Sequence, residues 1–128
     1  MINSLFIKNY ALIKELNINF CDGFTSITGE TGAGKSIFVG ALSLILGERS
    51  GSSLHLDSDE KCIVEGVFDI SKYNLALFFD KNELDFNNIT VLRREINSSG
   101  RSRSFINDTP VNLTQMKELG VQLFDIHS

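Results

Sequence analysis

The sequence predicts an α/β fold in which one apolar helix lies beneath a mixed sheet that includes antiparallel strands. Three observations lead there. The β-branched run Phe24-Thr25-Ser26-Ile27-Thr28 feeds a Gly-rich loop that opens directly into Ile37 to Leu46, a stretch apolar on nearly every side. Before the loop, two apolar segments are patterned as a half-exposed strand pair. After it, two further strand-like runs flank a Gly-bearing turn, the pattern of a hairpin.

Taken in order, Leu5-Phe6-Ile7 and Leu12 to Phe20 are the first two strands, with Leu16, Ile18 and Phe20 alternating against Glu15, Asn17 and Asn19. Asp22-Gly23 turns the chain into the strand over 24–28. The helix over 37–46 is closed by Gly47, and the polar stretch Glu48 to Glu60 reads as an exposed loop. Cys62 to Ile70 returns to strand character, and Ser71 is placed to cap a short helix through about Phe79. A polar turn over 80–88 leads to the strand Ile89 to Ile96; Asn97 to Gly100 turns it back into Arg101 to Asn107. Asn112 or Thr114 caps a helix over Gln115 to Leu119 that Gly120 ends. Val121 to Ile126 reads as a last strand, stopping at His127-Ser128 as in a chain cut there.

A chain of 128 residues, 42% hydrophobic and 22% charged, fits one domain burying roughly two-thirds of its unfolded surface. The net charge of −4 argues against coating nucleic acid through bulk charge and leaves room only for a local basic patch. No apolar stretch reaches the ~20 residues of a membrane span, and Met1-Ile2-Asn3-Ser4 opens no signal-type segment, so a cytosolic chain is expected. Cys21 and Cys62 lack metal-ligand spacing and read as buried thiols; His55 and His127 stand alone.

The loop Gly29-Glu30-Thr31-Gly32-Ala33-Gly34-Lys35-Ser36 has the pattern G-x-x-x-x-G-K-S in the strand, loop, helix setting that phosphate binding requires. Its glycines let the backbone approach an anion closely, so successive N–H groups from Gly29 through Ser36 form a cage of donors. The helix start adds unpaired N–H groups and the positive end of its dipole. Lys35 contributes a mobile charge for the β- and γ-phosphates, and the Ser36 hydroxyl is placed to ligate Mg²⁺. The Glu30 side chain is given no role.

Four of the five arginines, Arg93, Arg94, Arg101 and Arg103, fall in the predicted hairpin of an otherwise acidic chain. Contact with DNA phosphates, an interface or adenine-side contact, and plain solvation beside Glu95 all remain open for them. Asp69 and Asp125, each ending an apolar run, mimic the carboxylate that holds Mg²⁺ in phosphoryl transfer. Both are better read as strand-end groups bonded to backbone or water.

Beyond the loop, separated stretches agree in order with one family. They are Leu5 to Ile13, Ile27 to Ser36, Leu46-Gly47-Glu48-Arg49, Leu92 to Ile96, Gly100 to Asn107, and Leu119 to His127. Through these the chain resembles the N-terminal part of the RecN family of SMC-related bacterial DNA repair ATPases. That resemblance implies a P-loop NTPase of the ABC/SMC head type, with residues 1–128 as the N-terminal lobe before a coiled coil and a C-terminal lobe. It implies ATP and Mg²⁺ as cofactors, and the C-terminal lobe, a second head and DNA as partners. It further implies a role in double-strand break repair and recombination, in the cytoplasm at the nucleoid. Hydrolysis would need the family's glutamine and catalytic carboxylate, which lie beyond this sequence. Relatives often carry an arginine after the first helix that reaches the active site; Ser52 to Leu56 has none, leaving Arg49 or His55 as stand-ins. The motif alone also admits a small self-contained P-loop kinase, though no Arg-rich lid is present, or an interaction module that has lost nucleotide binding.

Overall fold

The computed structural model describes residues 1–20, 32–50 and 54–124, with side chains in the first helix described from Ser36 onward. Among the described residues, six strands form one sheet in the order β2-β1-β3-β4-β5-β6. These are β1 (Ile2–Tyr10), β2 (Ile13–Asn19), β3 (Cys62–Asp69), β4 (Ile89–Ile96), β5 (Ser102–Ile106) and β6 (Thr109–Val111). Every pairing among them is antiparallel. The strand expected over 24–28, a candidate parallel member of a mixed sheet, lies outside the described residues.

Alternation decides which face is buried. Leu5, Ile7, Val64, Phe68, Leu92 and Ile106 point inward and are at most 1% exposed, as the period of two demands. α1 (Gly32–Ile45) packs this face through Ala41, Leu44 and Ile45, while Val39 stays 57% exposed. α1 therefore buries one stripe rather than its whole circumference. Among the described residues β2 is the sheet edge, and it is more exposed than its alternation predicts, since Leu16 is 40% exposed.

α1 starts five residues before the expected 37–46 helix, and the other two helices also differ from expectation. α2 (Ala76–Lys81) starts after Leu75, without a side-chain cap. Ser71 does not cap it: its N–H and hydroxyl donate to Asp69 Oδ1 at 2.9 and 2.7 Å, closing a local turn. α3 (Leu113–Leu123) runs through Gly120 and replaces the strand expected from Val121. Its buried positions Met116, Leu119, Gly120 and Leu123 follow i, i+3, i+4, i+7, a helical stripe. Gly120 belongs inside it because a Cβ there would stand 2.9 Å from Leu46 Cα, so the missing side chain lets α3 lie against the end of α1. Asn112 caps α3, its Oδ1 accepting from Gln115 N–H while Gln115 Oε1 accepts from Asn112 N–H, a reciprocal box.

The hairpin over β4 and β5 forms as expected, with Asn97 Oδ1 ordering its turn. β6 was not foreseen. Asn107 and Asp108, both at positive φ (50° and 69°), make a tight turn into it, a conformation these residue types tolerate.

Candidate functional site

The phosphate-loop sequence ends inside α1, since the helix begins at Gly32 and residues 32–36 form its first turn. Gly29, Glu30 and Thr31, and the side chains of Gly32, Ala33, Gly34 and Lys35, lie outside the described residues. Ser36 is exposed on that first turn, which carries no acidic side chain. The chain leading to the loop is anchored at Phe20, whose N–H donates to Asn3 O at 2.9 Å and whose ring meets Phe38 of α1 edge-on at 5.8 Å. A helix start within the phosphate-loop sequence, with an exposed hydroxyl on its first turn, is chemically suited to a Mg²⁺-nucleotide phosphate tail.

At its other end α1 closes through Gly47, at φ 92°, with Glu48 N–H returning to Ser43 O at 3.1 Å, a Schellman closure. Arg94 meets that end. It is 1% exposed, and its Nη1 donates to the carbonyls of Leu44 (2.6 Å) and Glu48 (2.8 Å). Its Nε donates to Ser102 Oγ at 2.6 Å. Burial pulls the guanidinium below its ordinary pKa. As a candidate for contact with DNA Arg94 is corrected: β4 turns it inward, beneath the sheet.

Arg93, one residue earlier, faces outward and is neutralised. Its Nε donates to Glu95 Oε2 at 2.9 Å, its Nη1 lies 3.7 Å from Glu65, and it sits over the Phe105 ring. Arg103 flanks the same ring at 5.7 Å. Arg101 and Arg103 are exposed and have no ion-pair partner among the described residues. The period of two puts Arg93 and Arg94 on opposite faces of β4.

The stand-ins for an active-site arginine are placed differently from each other. His55 bonds through Nε2 to Ile96 O at 2.9 Å, while Arg49 is exposed beyond α1. Asp69 is committed to its turn, where hydrogen bonds from the Ser71 hydroxyl and backbone hold its carboxyl below the usual range; Asp125 lies outside the described residues. No group of three His, Cys, Asp or Glu is placed to hold a metal among the described residues, and no described helix is long and apolar enough to cross a membrane.

The fold resembles part of solved SMC and RecF structures. A solved structure from work on ATP-driven dimerization and DNA-stimulated activation of SMC ATPases superposes with a TM-score of 0.71 at 22% identity, covering 91% of this chain and 75% of that one. The recombination mediator protein RecF gives 0.66 at 18% identity, covering 91% and 29%. The chain belongs to the RecF/RecN/SMC N-terminal domain family, whose pattern matches residues 1–126. It is 42% identical to the DNA repair protein RecN of Vibrio cholerae over 128 residues, and 40% identical to that of Haemophilus influenzae over 131. Each alignment covers 99% of this chain and 23% or 24% of the relative, so the chain spans about a quarter of their length.

Proposed function

We propose that this chain is the ATP-binding N-terminal lobe of a RecN-type ATPase acting in DNA repair. The observation that carries the reading is the start of α1 at Gly32, inside the G-x-x-x-x-G-K-S sequence, with no carboxylate in its first turn. Gly29 to Ser36 would cradle the phosphates with main-chain N–H groups, Lys35 would add its charge, and Ser36 would ligate Mg²⁺. The metal, when bound, supplies neutralisation of the charge that develops on the phosphates. Catalysis by this lobe is therefore positioning and electrostatics. Water activation is assigned to the C-terminal lobe and a second head, and the protein to the cytoplasm at the nucleoid.

Titrating the full-length protein with Mg²⁺-ATP in a calorimeter tests this. Lys35→Ala should weaken binding by at least about tenfold, the loss of one charge-assisted contact. Absence of binding by the wild type would leave an interaction module, and phosphotransfer to metabolites would favour the kinase.

DNA contact is assigned to Arg101 and Arg103, exposed cations of the hairpin with no ion-pair partner among the described residues. Reversing both to Glu should lower the slope of log affinity against log salt by about 2 in the full-length protein. An unchanged slope would remove the assignment.

A further inference from the structure

We propose that Arg94 is a positioning residue for the phosphate loop: from within the sheet it grips the far end of α1 and so fixes where the first turn of that helix sits. The inference rests on the nucleotide-binding reading above. Arg94 is buried, and none of the ion pairs among the described residues includes it. A buried cation without a counter-ion is costly unless its N–H groups are met and a negative potential replaces the missing carboxylate. The end of α1 supplies both. Leu44 and Glu48 present the carbonyls that accept from Nη1, where the helix dipole is negative. α1 has no basic side chain of its own in its last turn, so the cation comes from β4. Ser102 Oγ takes the third bond and ties the same guanidinium to β5.

Position, rather than charge, is what this clasp transmits. The 14 residues of α1 span about 21 Å. Over that separation the direct attraction between Arg94 and a phosphate at the opposite end is weak, because Coulomb energy falls with distance. Burial along α1 is uneven in the same sense: Ser36 and Val39 are exposed, whereas Ala41, Leu44 and Ile45 are buried. Among the described side chains the Arg94 clasp holds the C-terminal end of α1, while Phe38 against Phe20 holds it nearer the start; the phosphate-facing turn of this stiff rod is set by both.

The test compares Arg94→Met, Arg94→Lys and Ser102→Ala with wild type in the full-length protein, titrated with a fluorescent ATP analogue and Mg²⁺ below the onset of each melting curve. Arg94→Met should bind about tenfold more weakly, within the range expected for misplacing a binding group by an ångström. Arg94→Lys should recover part of the loss. Amide exchange over 32–46 should quicken in Arg94→Met while β1 and β3 keep their protection, a local signature that a general loss of stability would not give. A folded Arg94→Met with wild-type affinity would overturn the proposal. If that variant does not fold, the other two decide: weaker binding in folded protein supports it, and wild-type affinity in both overturns it. A wild-type protein that binds no nucleotide would overturn this inference and the nucleotide reading together, and so is told apart from a failure of the variants alone.

Discussion

Asn9 holds Asp57 by both of its main-chain groups: Oδ1 accepts from Asp57 N–H at 2.6 Å, and Nδ2 donates to Asp57 O at 2.9 Å. The same Nδ2 reaches Glu60 O at 2.9 Å. Asn9 is 4% exposed and sits at φ 56°, a left-handed conformation asparagine tolerates better than most residues. One side chain thereby fastens the turn between β1 and β2 to the segment before β3. Asn9→Ala should cost about 2–4 kcal/mol, since the hydrogen bonds to Asp57, Glu60 and Lys61 go and buried groups lose their partners. Urea denaturation reads this directly, and a loss below about 1 kcal/mol would mean water replaces the amide.

Glu95 gives the fold a pH-dependent component. Burial alone would raise its carboxyl, yet hydrogen bonds and charge from Lys61 and Arg93 outweigh burial and hold it below the ordinary 4.5. A carboxyl lowered in the native state stabilises the fold above its unfolded pKa and loses that contribution as pH falls through the native value. Denaturation midpoints should therefore drop as pH goes below about 4.5, and Glu95→Gln should flatten that part of the profile. An identical acid limb in the variant would show that other carboxyls account for it.

Legibility followed the range of the interactions. The β4–β5 hairpin, β3 and the antiparallel β1–β2 pair were readable because alternation and turn residues are local signals. α3 was misread because Gly120 looked like a stop, whereas its role is set by Leu46, far away in sequence. Ser71 misled in the same way: its hydroxyl had a nearer partner in Asp69 than the helix it was expected to cap. In the site, the helix start at the phosphate loop was legible from the motif. The inward turn of Arg94 was not assigned, because the carbonyls that justify burying a guanidinium come from the end of a different element.

Gly47 and Lys117 fix the spacing of α1 and α3. A Cβ on Gly47 would lie 2.6 Å from the Lys117 backbone, and its φ of 92° disfavours any other residue. Neither obstacle can be relieved by turning a side chain. Gly47→Ala should destabilise the protein by about 2 kcal/mol or more, combining left-handed strain of ~1–2 kcal/mol with displaced packing. Thermal melting reads it, with Gly100→Ala as the control. Gly100 shares a positive φ of 91° but has nothing within 4 Å, so the difference between the two variants isolates the packing.

Cys62 should be silent toward alkylating reagents until the sheet opens. It is 1% exposed at the start of β3, and burial pushes its thiol up to about 11, with the Arg94 charge only partly opposing the shift. Only the thiolate reacts, so at pH 8 its reactive fraction is about two orders of magnitude below that of an unfolded cysteine, before steric exclusion is counted. Timed iodoacetamide labelling followed by peptide mass spectrometry distinguishes Cys62 from Cys21 and gives each its own rate. Urea at the unfolding midpoint should release Cys62 in step with loss of structure, because β3 lies between β1 and β4 and cannot expose its first residue by fraying at a free edge. Labelling of the native protein at the denatured rate would show instead that the start of β3 opens independently of the sheet.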